Sequence, residues 1–366
     1  MHPRTQGAQR RLEAQVQQRL DAMAELPHEM LKLQQAVELK PDCVHALMNL
    51  AVAMGPSDTI TLSFGTVWTK RRLFLKACEL EPPCALAYHN LATSMSRSER
   101  VEFQDGTRLT RTQVYLQALI LDHASKSAAV TYYSLGKSLE PGEKVTLPDG
   151  VEYDASELYL AALTLNPRHA KALANLGALL GPDESVILRR GPTGGEEDEE
   201  EEEPERVERT GRDLCLEALG LDDSIAEAYT GLGLGLSPEE ERCSGGIKLP
   251  DNRRWTRRVL FRQALELDPA DAVACRSLAS ILTEIGDSVL FSDGTVFTGR
   301  DLLVRAKALE RWRLKSSHKL TKERWSHIDG LEERGRMPRL PDVLLPERPR
   351  APPIQRFSPP RSVPAS

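Results

Sequence analysis

A six-residue phrase that returns along the chain constrains its fold more than any other feature. Each copy reads alanine, an apolar residue, a variable residue, leucine and a polar residue, and four of the six full copies end in proline. The full copies begin at Ala36, Ala77, Ala118, Ala162, Ala218 and Ala264, and a shortened copy begins at Ala306. Intervals of 41 to 56 residues predict a stack of similar supersecondary units joined by loops of different length.

Each phrase closes a predicted helix whose beginning is also marked. Eight residues before the alanine stands a side chain that can accept a hydrogen bond from a free N–H group of the first helical turn. These predicted N-caps are Thr69, Thr110, Asp154, Thr210, Thr256 and Thr298. Three residues before the alanine stands a side chain predicted to fill the helix interface, namely Phe74, Tyr115, Tyr159, Cys215, Phe261 or Leu303.

Another helix precedes each of these helices, and an extended segment joins the two. The first helix carries a central leucine followed by a small residue, which would let a neighbouring helix approach closely. The small residues are Ala51, Ala92, Gly136, Gly177, Gly233 and Ala279. The joining segment, as in Val101–Gly106, alternates in polarity and ends in Asp-Gly. This ending predicts a β-hairpin with a two-residue type I′ turn.

The order of small residue, leucine, aromatic, alanine and closing proline resembles the tetratricopeptide repeat (TPR). That family's usual unit is about 34 residues, with about 20 between the central leucine and the alanine. The corresponding distance from Leu50 to Ala77 is 27 residues, and the surplus is the predicted hairpin. The resemblance implies a mainly all-α fold, a right-handed TPR-like α-solenoid of about seven helix pairs with short β-hairpin inserts.

Composition divides the chain into three parts. Residues 1–42 are predicted to form an N-terminal helical cap, in which a helix over 8–24 pairs with one over 29–39. Residues 43–312 hold the stretched repeats, with an acidic disordered insert predicted over 191–209. Residues 313–366 are rich in proline and arginine and are predicted to be a largely disordered basic tail.

Charge and cysteine usage favour an intracellular protein that is not built for nucleic acid. The net charge is −6, and no two of the six cysteines form a C-x-x-C pair, so we expect reduced thiols. No apolar leader follows Met1, and no apolar stretch is long enough for a membrane span. We therefore expect a cytoplasmic protein with no membrane contact. The arginine-rich first twenty residues leave a mitochondrial transit segment as an alternative.

Catalytic and metal-binding motifs are absent from the sequence. It contains no phosphate-binding loop, no zinc-protease motif and no nucleophile elbow, and its eight histidines lack ligand spacing. The run Gly231–Gly235 lies on a predicted first helix, where close packing explains it better than a phosphate cradle. We therefore expect no enzyme activity, no cofactor and no metal.

The TPR resemblance implies that the first helices line a concave groove that holds a peptide or helix of another protein. The candidate groove residues are Asn49, Asn90, Asn175, His89, Tyr133, Lys137, Lys171 and Arg276. Asparagine offers a donor and an acceptor to an extended backbone, although the same side chains could instead hydrogen-bond between helices of the stack. The cations are too dispersed for the family's carboxylate clamp.

A protein-binding scaffold or adaptor is therefore the predicted function. The acidic run Glu196–Glu205 is either a solvated spacer or a contact for a basic partner, including the chain's own tail. The alternative function is an RNA accessory factor that uses the helical repeats and the basic tail. The nearly neutral body of the chain weighs against nucleic acid as a partner.

Overall fold

The computed structural model describes residues 28–62, 65–181, 184–190, 205–250, 252–285 and 287–311. The predicted helix over 8–24, the acidic run Glu196–Glu205 up to residue 204, and the tail over 313–366 lie outside the described residues. The chain divides into two compact units, of which unit 1 ends at His123 and unit 2 begins at Ala124. Each unit is built from helix pairs and two-stranded antiparallel hairpins.

Unit 1 contains the first stretched repeats. Its helices are α1 (His28–Leu39), α2 (Val44–Ala53), α3 (Lys70–Cys78), α4 (Ala85–Ser94) and α5 (Arg111–Leu121). Its hairpins are β1 (Thr59–Thr61) with β2 (Val67–Thr69), and β3 (Arg100–Glu102) with β4 (Arg108–Thr110). Each hairpin joins the first helix of a repeat to the second, and each helix packs against the next one along the chain from α1 to α5.

Unit 2 continues the same construction. Its helices are α6 (Ala128–Ser138), α7 (Ala155–Leu165), α8 (Ala170–Leu179), α9 (Gly211–Leu221), α10 (Ala226–Gly235), α11 (Pro238–Ser244), α12 (Arg257–Leu267), α13 (Ala272–Ile285) and α14 (299–311). Its strands are β5 (Val145–Thr146), β6 (Glu152–Tyr153), β7 (Ser185–Arg190), β8 (Glu205–Thr210), β9 (Ile247–Lys248), β10 (Arg254–Trp255), β11 (Ser288–Leu290) and β12 (Val296–Thr298). The mainly helical, TPR-like repeat with a hairpin insert is therefore confirmed.

The six predicted N-caps are confirmed. Thr69 accepts a hydrogen bond from the backbone N–H of Arg72, and the other five caps bond the residue three positions on in the same way. In four helices the bond is reciprocal, because the side chain three positions on accepts the N–H of the cap residue; these side chains are Gln113, Glu157, Asp213 and Asp301. These capping boxes satisfy two free N–H groups each, and so fix where the second helix begins.

The predicted interface side chains fill the contacts between helices, with one exception. Phe74, Tyr115, Tyr159, Cys215 and Phe261 are buried. A Cβ atom added to Gly136 would meet the ring of Tyr159 at 2.8 Å, so the glycine permits the close helix approach that the sequence predicts. Leu303 is 39% exposed, and the prediction that it fills an interface is wrong. On α14 the buried residues are Leu302 and Ala306, and no helix follows α14 in the described part of the chain.

The hairpin turns differ from the predicted two-residue type I′ turn. Phe103 N–H donates to the carbonyl of Thr107 at 2.9 Å, and Gly106 N–H donates to the carbonyl of Phe103 at 2.9 Å. Glycine has positive φ in these turns, at +82° for Gly106, whereas the preceding Asp105 does not. The loop is therefore a three-residue turn with a glycine bulge. Asp105 accepts the N–H of Thr107 at 2.8 Å, which explains the aspartate without positive φ.

The longest hairpin shortens the predicted acidic insert. Strands β7 and β8 pair over six residues, from Ser185 opposite Thr210 to Arg190 opposite Glu205. Residues 205–209, predicted to be part of a disordered insert over 191–209, therefore lie in a strand. Val207 and Arg209 are half-buried and Glu208 between them is exposed, which is the alternation of a strand that turns one face toward the protein. The acidic composition of the segment had instead predicted disorder.

Three arginines at equivalent positions join successive repeats. Each is the second residue of a second helix, and each donates both to a carboxylate and to a backbone carbonyl in the next repeat. Arg71 binds Glu99 and the carbonyl of Ser94, whereas Arg258 binds Asp287 and the carbonyl of Ser288, both at 2.7 Å. Arg212 bonds both oxygens of Glu240 at 2.6 and 2.7 Å and the carbonyl of Gly235 at 3.0 Å. These contacts couple each repeat to its neighbour.

Candidate partner-binding surface

The predicted groove residues lie in different parts of the chain. Asn49, His89 and Asn90 belong to helices α2 and α4 of unit 1. Tyr133, Lys137, Lys171, Asn175 and Arg276 belong to helices α6, α8 and α13 of unit 2. The helices in both sets are first helices of their repeats.

In unit 1, His89 is a packing residue with little exposure. Its ring lies 5.8 Å from that of Tyr115, and it is 8% exposed. Burial lowers the pKa of His89 to about 4, so its imidazole is neutral at physiological pH. Thr93 lies one turn further along α4 and is 3.2 Å from the hydroxyl of Tyr115. Asn49 is exposed and Asn90 half-buried, so their amides can reach a ligand without a change of fold.

In unit 2, four predicted residues come together around a fifth that the sequence analysis missed. Lys137 on α6 donates to Oε1 of Glu227 on α10 at 2.9 Å, across 90 residues of sequence. Tyr133 lies one turn before Lys137 on α6, and Asn175 lies one turn after Lys171 on α8. We call Tyr133, Lys137, Lys171, Asn175 and Glu227 the unit 2 patch.

The charges of the unit 2 patch stabilise one another. Burial opposes the charged form of Lys137, but the hydrogen bond to Glu227 and the proximity of Tyr133 outweigh it and raise the pKa of the lysine. Burial likewise opposes ionisation of Glu227, yet its bond to Lys137 and the charge of Lys171 lower the pKa of this carboxyl. The patch thus presents two ammonium groups and one carboxylate at neutral pH.

The N-terminus of α8 lies beside Tyr133 of the unit 2 patch. His169 precedes α8, and its Nδ1 accepts the backbone N–H of Ala172 at 3.2 Å, which makes it the N-cap. The ring of His169 lies 5.0 Å from that of Tyr133, which in turn lies 5.9 Å from Tyr159. Burial lowers the pKa of His169, and the charge of Lys171 lowers it further. The neutral form, whose Nδ1 can accept the N–H of Ala172, is therefore favoured. The cap therefore positions Tyr133 against the first turn of α8.

Asn175 lies on α8, one turn after Lys171 and close to Tyr133 of α6. Its Nδ2 donates to the carbonyl of Lys171 at 2.9 Å, within its own helix. Burial raises the pKa of Tyr133, and the nearby amide of Asn175 opposes part of this rise. The side chain of Asn175 is half-buried, so its amide remains accessible to a ligand.

Arg276 bonds none of the residues of the unit 2 patch in the described structure. It forms an ion pair with Glu310 on α14, and its side chain is 58% exposed. On the preceding first helix, Thr230 donates to Asp271 at 2.6 Å, and Asp271 also caps α13 by accepting the N–H of Ala274 at 2.9 Å. Arg276 is therefore an exposed cation paired with α14, whereas Thr230 and Asp271 form a partly buried link between α10 and α13.

Helix periodicity could have identified Glu227. The predicted asparagines, His89, Tyr133 and Arg276 hold the two positions before a central leucine, whereas Lys137 and Lys171 were included for their charge. Residues three and four apart share a helix face, so the residue five before the leucine lies beside them. Lys171 and Glu227 both hold that position, before Leu176 and Leu232. The pairing of Glu227 with Lys137 depends on tertiary packing and has no local signal.

A cavity of about 400 Å³ lies elsewhere, between α12 and the β11–β12 hairpin. Its lining includes Arg258, Arg262, Leu290 and Val296, and none of the predicted groove residues. The arginines are already engaged, Arg258 with Asp287 at 2.7 Å and Arg262 with Glu266 at 3.6 Å. The cavity offers no free charge to a small ligand.

Among the described residues, no group of three histidine, cysteine, aspartate or glutamate side chains is arranged to hold a metal ion. None of the helices within the described ranges combines the length and apolar character needed to cross a bilayer.

Comparisons with known proteins give weak matches. No protein-family profile matches the chain, and no curated protein matches it. Among solved structures, the crystal structure of MamA matches at 18% identity over 58% of this chain and 91% of its own, with a TM-score of 0.26. Yeast Tom70 matches at 13% identity over 80% of this chain and 61% of its own, with a TM-score of 0.31. The fold is defined by the helix pairs and hairpins of this chain itself.

Proposed function

We propose that this chain is a cytoplasmic, non-catalytic scaffold or adaptor that binds a peptide or helical segment of partner proteins on its first helices. The unit 2 patch is the observation that supports this proposal most directly. It combines an exposed ammonium group on Lys171, an accessible amide on Asn175 and the buried ring of Tyr133 on adjacent helices. The accessible ammonium and amide groups can hydrogen-bond a peptide, and the buried ring of Tyr133 packs beneath them.

In unit 1, the proposal assigns the same role to Asn49 and Asn90. Both precede a central leucine, and Val52 and Leu86 on the same helices are 60% and 56% exposed. An amide next to an exposed aliphatic side chain can bind a peptide backbone and one of its apolar side chains. Arg276 would extend the surface in unit 2. The run Glu196–Glu205 is proposed as a separate contact for a basic partner, because nine of its ten residues are acidic.

Charge reversal in the patch tests this function. The tagged chain and the variant Lys171→Glu would be used to capture proteins from the native cell, and the captured partner would then be titrated in purified form. We expect Lys171→Glu to weaken binding at least tenfold, and Asn175→Ala to weaken it by about 1–2 kcal/mol. Lys248→Glu is the matched control, since Lys248 is an exposed lysine on a hairpin of the same unit. Asn49→Ala and Asn90→Ala would test unit 1 separately.

The same experiment separates the RNA alternative. Partners that persist after ribonuclease treatment but disappear with Lys171→Glu support the scaffold. Retention on heparin that falls steeply with salt, together with loss of all partners after ribonuclease, would replace it with nucleic-acid binding. Identical partners and affinities for every patch variant would contradict a role of this surface.

A further inference from the structure

We propose that the Lys137–Glu227 ion pair is a latch that ties α6 to α10 across the unit 2 patch and so sets how far these first helices stand apart. This inference concerns the regulation of the proposed binding surface, and its biological role rests on that function. Whether the ion pair restrains the two helices can be measured without knowing the partner.

The position of the pair supports this role. Lys137 is in the last turn of α6 and Glu227 in the first turn of α10, in repeats that are separated by α8. Helix α8 packs against α10 and contributes Lys171 and Asn175 beside the pair. A single contact of 2.9 Å between Nζ and Oε1 thus connects the first helices of non-adjacent repeats.

The strength of the pair suits a contact that opens. The Lys137 side chain is 56% exposed and that of Glu227 is 35% exposed, so water and salt reach both partners. Exposed ion pairs are weak and are screened at high ionic strength. In a solenoid each repeat contacts mainly its neighbours, so small changes at one interface alter the spacing of helices further along. Breaking the pair therefore costs little, yet it removes a restraint between α6 and α10.

Lys171 gives the latch an alternative arrangement. Its charge already acts on Glu227, so the carboxylate keeps a cation nearby when Lys137 leaves. A ligand carboxylate that binds Lys137 would then open the latch without leaving Glu227 unpaired. The open state and the closed state thus differ in the partner of Lys137, while the fold of each helix stays the same.

A distance measurement tests the latch directly. Nitroxide labels would be attached through non-natural amino acids at Val130 on α6 and Leu234 on α10, which are 43% and 49% exposed. Double electron–electron resonance on the full-length chain then reports the distance between the two helices. We expect Glu227→Gln and Lys137→Gln to shift the distribution to longer distances and to broaden it, and Lys137→Arg to leave it unchanged.

Controls keep the outcome decisive. Glu239→Gln breaks an exposed ion pair with Arg242 inside α11, and it should leave the distribution as it is in the unaltered chain. Raising the salt concentration to 1 M should broaden the distribution of the unaltered protein, which avoids any folding defect of a variant. An identical distribution for all variants and salt concentrations would overturn the latch. That result would leave the binding experiment with Lys171→Glu unaffected, so the two proposals fail separately.

Discussion

Gly233 on α10 lies directly against the ring of Phe261 on α12, and a Cβ atom on the glycine would meet Cε1 of the ring at 2.6 Å. Both residues were predicted from the repeat pattern, one as the small residue after the central leucine and the other as the interface side chain. The contact shows that the two positions are matched in space as well as in sequence. Substitution of the glycine therefore has a predictable cost.

Gly233→Ala should destabilise unit 2 by about 1–3 kcal/mol, because the ring or the helix must move to accommodate the methyl group. The helix propensity of alanine offsets part of this loss. Gly220→Ala on α9 is the control, since nothing lies within 4 Å of its added Cβ. Urea denaturation should show the control to be as stable as the parent or slightly more stable. Equal midpoints for both variants would contradict the close approach.

Thr110→Ala should lower the free energy of unfolding by about 1 kcal/mol, because the N–H of Gln113 loses its acceptor. The neighbouring Thr112→Ala removes a hydroxyl from the same helix without touching the capping box, and it should change stability by no more than about 0.5 kcal/mol. Thermal denaturation followed by circular dichroism would compare the two. A larger loss for Thr112→Ala would mean that α5 begins elsewhere.

Stability should fall as the pH is lowered from 7 to 4, in part because of His89. Its folded-state pKa of about 4 lies below the value near 6.5 that an unfolded chain has, so the unfolded state binds the extra proton in this window. The loss from this group is on the order of 3 kcal/mol at pH 4. His89→Gln cannot titrate and should flatten the dependence. Parallel pH profiles for parent and variant would refute the assignment.

The histidine cap of α8 predicts an ordered series of variants. His169→Asn should retain stability at pH 7, because asparagine is a favourable N-cap and keeps an acceptor for the N–H of Ala172. His169→Ala should lose about 1 kcal/mol at the same pH. Because the pKa of His169 is lowered, protonation below pH 6.5 favours unfolding, and only the parent should show this added sensitivity to acid. Chemical denaturation at pH 7 and pH 5 would reveal the order.

Arg212→Ala should destabilise unit 2 by about 1 kcal/mol, since the partly exposed ion pair with Glu240 and the bond to the carbonyl of Gly235 are both lost. Arg242→Ala serves as the comparison, because the Arg242 side chain is 75% exposed and its ion pair lies within one helix. Differential scanning calorimetry should show a lower melting temperature for Arg212→Ala alone. A matching decrease for both variants would mean that general charge, and not the link between repeats, is responsible.

Features that depend on residues close together in the sequence were predictable. The cap residues and the spacing from Tyr159 to Ala162 repeat because each second helix needs the same start and the same buried face. The type of hairpin turn was not predictable, because Asp-Gly suits both a type I′ turn and a glycine bulge. The hydrogen bond from the N–H of Thr107 to Asp105 favours the glycine bulge. The exposure of Leu303 was not predictable either, because the repeat pattern assigns it the same interface role as Phe74 or Tyr115, whereas no helix follows α14 in the described part of the chain.

The candidate site was predictable only in part. Tyr133, Lys137, Lys171 and Asn175 share one surface because the repeat places them on equivalent first helices. Their bonding to Glu227 and His169 requires knowledge of which repeats approach each other in space. A histidine was also an unexpected cap, because its acceptor nitrogen is available only in the neutral form that burial and Lys171 maintain.

The hairpins have a consequence for how such a chain can be altered. In four of them the base is a pair between the helix-capping threonine and a residue of the first strand, such as Thr59 with Thr69 or Ser185 with Thr210. The cap geometry is thus settled at the base, however long the loop beyond it. Foreign peptides could be grafted into the turn of the β3–β4 hairpin if Phe103, which stacks on Tyr88, and Gln104, whose N–H donates to Glu79, are retained. The four hairpins with this base are therefore insertion points at which a loop can lengthen while the helix cap stays in place.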